Sequence, residues 1–322
     1  MALKRLLVAA GAPAWSRART RARLRVLMYH RFSGPPASVS SALSRQFAYI
    51  RRHYHPVSLC EVVRCWATGE QFPLRALAIT VDDGYADFQA AWSLLKQFQL
   101  PATLFVVSGF TSRELWLWPD VVHFCMSHST RKRIHLDMPD GTFFERSLSA
   151  APDREAADRD LDALLLAMPD ESRRDVIAKL PEAAGLFLPD AIPAEYAPLD
   201  WDALRKMTSE GLEVGAHTQT HPVLARISSV PRLRQEVAGS KLAIENQLNV
   251  PVRHFCYPNG QPADFNSASI DAVRNAGFLS AATAQRGLVG SADSHWEIHR
   301  IGVDPLMSTA AFELELAGFR MA

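Results

Sequence analysis

Two adjacent acids at the end of an apolar segment are the first residues in this chain that could do chemistry. Asp82 and Asp83 directly follow the run ALAITV and precede Gly84. Because burying an unpaired carboxylate is costly, two acids at the end of a strand-like segment favour a functional site. Their side chains diverge, so one carboxylate can bind a metal while the other acts as a base. The structural alternative is an ordinary Asp-Gly turn.

A pair of histidines, His217 and His221, forms the second motif, HTQTH, directly after the apolar run LEVGA. Histidines at positions i and i+4 of a helical turn can point the same way and share one metal ion. Two surface histidines are the alternative. One aspartate and these two histidines would supply three protein ligands and leave open positions on a catalytic metal.

The third motif is FCYPNG at 255–260, an apolar strand that ends in Tyr-Pro. A backbone N–H group at the rim of such a strand can donate to an oxyanion. A simple Pro-Asn-Gly turn would explain the same letters.

The elements that must position these residues alternate along the chain. We predict helices between strands, which is typical of parallel strands covered by helices. The strands are predicted at 24–30, 76–84, 101–109, 212–218, 253–260 and 278–283, with a last strand near 300–303, and the helices at 86–98, 200–211, 232–248 and 266–277. The three motifs fall at the carboxyl ends of predicted strands, where the active sites of (β/α) barrels are built.

Composition restricts the class of protein. The chain has 322 residues, of which 48% are hydrophobic and 21% charged, so it should fold around a large core. A net charge of +1 gives no general attraction to nucleic acid, and none is expected as a partner. The 4 cysteines show no CxxC spacing and fit reduced thiols.

The amino-terminal segment is strongly basic, since Lys and Arg are the only charged residues before Glu61. Residues 1–23 are therefore expected to contact an anionic membrane surface peripherally, a solvated terminus being the alternative. LKRLLVAA at 3–10 is short for the apolar part of a signal peptide, so we expect a cytoplasmic protein, peripheral at the inner membrane, with export as the alternative.

Taken together and in this order, the motifs resemble those of the polysaccharide deacetylases of carbohydrate esterase family 4, which are related to the nodulation chitooligosaccharide deacetylases. TVDDG is similar to the family's TFDDG, HTQTH to its H-S/T-x-x-H, and FCYPNG to its strand ending in Tyr-Pro. LMYHRF at 27–32 and WDALRKMTSEGLEVGAHTQTHPVL at 201–224 also resemble the bacterial branch. The resemblance covers most of residues 24–305 and is weakest in 111–200.

The resemblance implies an α/β fold, a distorted and incomplete (β/α) barrel. We predict a basic segment at 1–23 and a deacetylase barrel domain at 24–322. Residues 111–200 fit the strand–helix rhythm poorly and are predicted to be a largely helical insertion.

The resemblance also implies roles for residues. Asp82 would be the catalytic base, and Asp83, His217 and His221 would hold one divalent metal ion. That ion is usually zinc in this family, with Co²⁺, Ni²⁺ or Mn²⁺ as alternatives. The backbone of Tyr257 would help to hold the oxyanion.

Two departures from the family pattern affect the remaining roles. The arginine that orients the catalytic base has no clear counterpart, although Arg253 lies near the expected place. The family's late histidine, the general acid, corresponds to His299 in EIHRIGV, unless Arg300 is the aligned residue. Neighbouring side chains of a strand face opposite ways, so His299 enters the site as the acid or Arg300 enters and binds substrate or an acid of the site.

The predicted function is metal-dependent hydrolysis of N-acetyl groups on the sugars of a polysaccharide or glycan, which releases acetate. Hydrolysis of another C–N amide bond or of an O-acetyl ester on the same fold is one alternative. A non-catalytic glycan-binding module is another, but it would have no need of a base beside a metal. The glycan, the chain length accepted and the oligomeric state are left open by the sequence.

Overall fold

Parallel strands closed into a barrel form the centre of the molecule. The structure is a computed structural model and describes residues 2–319. Its strands are β1 Arg25–Tyr29, β2 His55–Pro56, β3 Ala76–Val81, β4 Ala102–Val106, β5 Arg133–Asp137, β6 Phe143–Ser147, β7 Glu213–Ala216, β8 His254–Cys256, β9 Ser280–Arg286 and β10 Ile298–Gly302. Within the described residues, 7 strands form a ring in the order β1-β10-β9-β8-β7-β4-β3, and the pairing of β1 with β3 closes it. The short β2 is added beside β3.

Helices cover the outside of this barrel. They are α1 Ala2–Ala9, α2 Ala12–Arg19, α3 Pro36–His53, α4 Leu59–Thr68, α5 Phe88–Gln97, α6 Ser108–Thr111, α7 Trp118–His128, α8 Ala151–Ala167, α9 Asp170–Ala183, α10 Trp201–Ser209, α11 Val230–Arg234, α12 Ser240–Leu248, α13 Ser267–Asn275 and α14 Thr309–Leu316. A π-helical turn, Gln235–Gly239, joins α11 to α12. The (β/α) barrel prediction is confirmed, with a ring of fewer than the usual eight strands.

Local sequence explains where these elements begin and how they pack. Every residue of β3 is buried, because a parallel strand is covered on both faces. Ser58 accepts a hydrogen bond from the Glu61 N–H, and Glu61 returns one to the Ser58 N–H, which starts α4 with a capping box. Asp200 is the N-cap of α10, and its side chain accepts a hydrogen bond from the Ala203 N–H.

The chain between β4 and α10 forms the helical insertion and has a core of its own. Val122 of α7, Leu161 of α8 and Leu180 of α9 belong to this core. The insertion also contains an antiparallel hairpin, β5–β6, which the sequence did not predict. The domain limits at 1–23, 24–322 and 111–200 remain predictions, and their ends at Met1 and at 320–322 lie outside the described residues.

The amino-terminal helices pack against the end of the described chain. The Ser16 hydroxyl of α2 donates to the Ala317 carbonyl at 2.7 Å, and α1 contacts α14. No helix in residues 2–319 is both long and apolar enough to cross a membrane.

Candidate metal centre and active site

The carboxyl ends of β3 and β7 carry the predicted metal ligands. Asp83 lies just past β3 with φ of 74°, and His221 lies past β7 with φ of 58°. This left-handed backbone is uncommon for residues other than glycine and persists only where the surrounding structure fixes it. Both unusual conformations therefore occur at the predicted site.

Three buried side chains converge here, as the sequence predicted. The Asp83 Oδ1 atom lies 3.4 Å from His217 Nε2 and 3.5 Å from His221 Nε2. Their ligand atoms all lie within 4.8 Å of one another. Among the described residues, Asp83 Oδ1 is buried and has no hydrogen-bond partner. An unsatisfied carboxylate oxygen facing two imidazoles fits a bound cation and the ligand set of a catalytic zinc site.

Hydrogen bonds and charge prepare these groups to bind a cation. His217 Nδ1 donates to the Cys256 carbonyl at 2.7 Å, which leaves Nε2 facing Asp83. Burial opposes ionisation of Asp83, but contacts with the two histidines outweigh burial and hold its pKa below the usual range. Burial lowers the pKa of His221 to about 3, so its imidazole is neutral. Burial also acts against a charged His217, yet the neighbouring Cys256 and Asp83 raise its pKa, and a bound cation would displace that proton.

Asp82 lies beside this group and forms a bidentate ion pair with Arg300 of β10. Nη1 donates to Oδ1 and Nη2 to Oδ2, both at 2.7 Å, and both side chains are buried. Burial would raise the pKa of Asp82, but Arg300 outweighs it and lowers the pKa. Arg300 is fixed in turn by the Thr283 carbonyl at 2.6 Å and the Thr80 hydroxyl at 3.0 Å. The carboxylate is therefore ionised and held in one orientation.

His30 is a site residue to which the sequence assigned no role. It follows β1, its Nε2 lies 3.6 Å from Asp82 Oδ2, and 47% of its side chain is exposed. A histidine that contacts both the carboxylate and solvent can exchange protons at the mouth of the site. His30 belongs to the motif LMYHRF, which contributed to the family resemblance but did not by itself indicate a chemical role for this histidine.

The structure decides between His299 and Arg300. His299 lies outside the barrel, beside Gly287, Thr20 and Glu315, because adjacent strand residues face opposite ways and Arg300 is the one inside. His299 is therefore not the acid of the site, and Arg300 takes the second of its two predicted roles, because it binds an acid of the site, Asp82.

Tyr257 and Arg253 also differ from expectation. The Tyr257 N–H donates to the Ala282 carbonyl at 3.0 Å in the β8–β9 ladder, so it is not free to hold an oxyanion. The Tyr257 ring stacks on Phe265 with 4.3 Å between centroids. Arg253 is exposed and precedes β8, at the barrel end away from Asp82.

A buried glutamate braces the loop between the two histidines. Glu236, in the π-helical turn, accepts from the backbone N–H groups of Gln219 at 2.8 Å and Thr220 at 2.9 Å. Arg232 forms a 2.6 Å ion pair with it. From the insertion, the Trp118 indole donates to the His221 carbonyl at 3.1 Å. This loop, called the metal loop below, is thus held by Glu236 on one side and by Trp118 on the other.

Comparison with known proteins points to one family. The family model "Polysaccharide deacetylase" matches residues 171–281, which include HTQTH and FCYPNG. A poly-beta-1,6-N-acetyl-D-glucosamine N-deacetylase of Escherichia coli (strain K12) is 38% identical over 65 residues, 20% of this chain and 10% of that protein. YxkH of Bacillus subtilis (strain 168) is 26% identical over 112 residues, 34% of this chain and 38% of that protein. The matches thus span well under half the length of these relatives.

Solved structures share the fold over nearly the whole chain. The Streptococcus pyogenes deacetylase PplD, solved with acetate, has a TM-score of 0.58 and 18% identity over 92% of this chain and 98% of its own. The de-N-acetylase from Aggregatibacter actinomycetemcomitans gives 0.58 and 18% over 91% and 99%. At this identity the likeness shows the fold. The chain is thus similar to the polysaccharide deacetylase family over residues 171–281 and shares the barrel fold of these two solved deacetylases.

Proposed function

We propose that this protein is a metal-dependent hydrolase that removes N-acetyl groups from the sugars of a polysaccharide or glycan. The observation that carries the proposal is the convergence of His217 and His221 on one Asp83 oxygen, next to a separately held Asp82. Metal ligands and an adjacent carboxylate in a barrel mouth suit the hydrolysis of an amide.

The side chains divide the work as follows. Asp83, His217 and His221 would hold one divalent ion, with zinc favoured by the donor set and Co²⁺, Ni²⁺ or Mn²⁺ as alternatives. When bound, such an ion polarises the acetyl carbonyl and makes water more acidic.

Proton transfer falls to the chain's own residues. Asp82, oriented by Arg300, accepts the proton of the attacking water. His30, at the mouth of the site, donates a proton to the sugar nitrogen as the C–N bond breaks. The oxygen of the water thereby enters acetate, and the sugar nitrogen gains a proton and leaves as a free amino sugar. His30 takes the role that the sequence gave to His299.

Acetate release from N-acetylated oligosaccharides tests the proposal. We expect release by the purified protein, loss with a chelator and recovery on adding zinc, while Asp82→Asn stays inactive. Release from an O-acetyl ester but not from an acetamide would support the ester alternative. Glycan binding with no acetate from either substrate would favour a binding module.

We further propose that this protein is cytoplasmic and contacts the anionic inner face of a membrane through α1 and α2. Leu3, Leu6 and Trp15 are 57%, 67% and 61% exposed, and Arg5 and Arg19 are exposed beside them. Apolar side chains mixed with basic ones suit the interface of an anionic bilayer. The double variant Leu6→Glu, Trp15→Glu should no longer sediment with phosphatidylserine vesicles. A mature form cleaved near residue 20 would instead indicate export.

A further inference from the structure

A second group of metal-binding side chains lies at the opposite end of the barrel from Asp83. Glu213 is the first residue of β7, His254 is the first residue of β8, and Cys60 lies in the first turn of α4. Their ligand atoms all lie within 4.8 Å of one another. The Cys60 Sγ atom is 3.4 Å from His254 Nε2.

Neighbouring groups already orient these donors. His254 Nδ1 is hydrogen-bonded to the Ser280 hydroxyl at 2.8 Å, which turns Nε2 toward Cys60. The Glu213 carboxylate accepts from the Thr103 hydroxyl at 2.8 Å and from the Cys60 N–H at 3.3 Å. Partners that fix ring and carboxylate orientation are typical of the surroundings of a metal site.

We propose that Cys60, Glu213 and His254 form a second metal site, selective for zinc-like divalent ions. A thiolate and an imidazole favour zinc over magnesium or calcium, and a carboxylate completes three protein ligands. Binding forms a sulfur–metal bond, breaks the Cys60 S–H bond and releases that proton to solvent. This assignment does not depend on the catalytic role proposed for the other end of the barrel.

The position of the site suggests a structural role. Among the described residues, β7 and β8 have a single register pair, Ala216 with Phe255, whereas β4 and β7 have four. An ion held by Glu213 and His254 would join these two weakly paired strands and tie them to α4 through Cys60. The bound ion should therefore stabilise the barrel against heat.

Cobalt binding to the full chain tests the proposal, because a thiolate ligand gives Co²⁺ an intense near-ultraviolet charge-transfer band. We expect two equivalents of Co²⁺ and this band in the unmodified protein. Cys60→Ser should lose the band and one equivalent, whereas Cys125→Ser, in the core of the insertion, should retain both. Zinc should raise the melting temperature more in the unmodified protein than in Cys60→Ser.

The remaining outcomes are also decisive. Cys256 lies beside Asp82, so a band lost in Cys256→Ser but retained in Cys60→Ser would place the thiolate at the catalytic end and overturn the proposal. A single equivalent of Co²⁺ without the band would overturn it as well. If Cys60→Ser does not fold, His254→Gln should show the same loss of one equivalent.

Discussion

Asp82 and Arg300 form a bidentate ion pair across the barrel interior, from the end of β3 to β10. A single strand, β1, lies between β3 and β10 in the ring, so the pair bridges over β1 and fixes the carboxylate. Both side chains are buried, and removing one partner of such a pair leaves an uncompensated charge that costs about 3–5 kcal/mol. The pair therefore contributes to the position of the base and to stability.

Replacing Arg300 with lysine should impair catalysis while leaving the metal in place. Lysine keeps the positive charge but loses the planar two-point contact that orients Asp82. Because a positioned general base contributes on the order of 10²–10⁴-fold, we expect kcat to fall by roughly a hundredfold with little change in KM. Steady-state kinetics and elemental analysis measure both. A normal kcat would show that Asp82 needs no such partner.

Metal content should separate the two adjacent acids. His217→Ala and Asp83→Asn should each lose one equivalent of zinc, since each removes a ligand, whereas Asp82→Asn should retain it. Elemental analysis in a Cys60→Ser background keeps the proposed second site out of the count. Equal metal loss in Asp82→Asn and Asp83→Asn would mean that the two roles were divided incorrectly.

Sequence patterns predicted parallel strands covered by helices, with an aspartate and two histidines at their carboxyl ends, because apolar runs that end in polar residues mark those ends. The barrel and the choice of Asp83 as the ligand beside His217 and His221 were implied by the family resemblance. The role of Arg300 was harder to predict. Its partner lies 218 positions away, and only the closed barrel brings Asp82 to it. Likewise, the alternation of side chains along the strand allowed either His299 or Arg300 to enter the site, and the register of β10 decided between them.

The pairing of the Tyr257 N–H group could not be predicted from the sequence for a different reason. A Tyr-Pro pair at a strand end predicts an exposed amide, but the neighbouring β9 extends far enough to pair with it through Ala282. Local sequence places the ends of a strand only to within about 2–4 residues. The β5–β6 hairpin was missed for a related reason, since its short strands lie among charged residues in the insertion.

Removing the His30 side chain should impair catalysis, whereas removing the His299 side chain should not. If His30 is the acid, His30→Ala should slow hydrolysis of an acetamide far more than that of an activated acetate ester, whose leaving group needs no proton. His299→Ala should hydrolyse both at nearly normal rates, because that side chain lies outside the barrel. Comparing the two substrates for each variant measures the effect. Equal slowing of both substrates in His30→Ala would assign His30 to another step.

Asp120 should make the folded protein less stable as the pH rises. Burial, with the nearby charge of Asp83, raises its pKa to about 7, although Tyr85 and Arg31 oppose the shift. The ordinary value is about 3.9, so between that value and 7 the folded chain holds a proton that the unfolded chain releases. Stability is thus greatest below the lower value and falls as the pH rises to the higher one.

Asp120→Asn removes this ionisation and keeps an acceptor for the Tyr85 hydroxyl, now 2.8 Å from the carboxylate. We expect the difference in melting temperature, variant minus unmodified protein, to become more positive as the pH rises from about 4 to about 7.5. Thermal denaturation at several pH values measures the difference. A constant offset across this range would show that Asp120 titrates normally.

Glu236 should control metal affinity without touching the metal ligands' side chains. Its Oε2 atom accepts hydrogen bonds from both the Gln219 and Thr220 N–H groups, and its Oε1 atom pairs with Arg232. These contacts fix the shape of the loop between the two histidine ligands. Glu236→Gln leaves one acceptor oxygen and removes the charge. Since partners outside the ligand set typically contribute 10–100-fold to metal affinity, we expect a loss of roughly tenfold, measured by zinc competition with a chelator.

A matched control separates this effect from general destabilisation. Glu245 of the following helix also accepts from a backbone N–H, that of Val252, and pairs with Lys241, but it lies away from the metal loop. Glu245→Gln removes the same charge and the same kinds of contact from a more exposed position, 31% against 0% for Glu236, and should leave zinc affinity unchanged. If both variants lose affinity equally, the effect is one of overall stability. If only Glu236→Gln does, the π-helical turn positions the loop that carries the metal ligands.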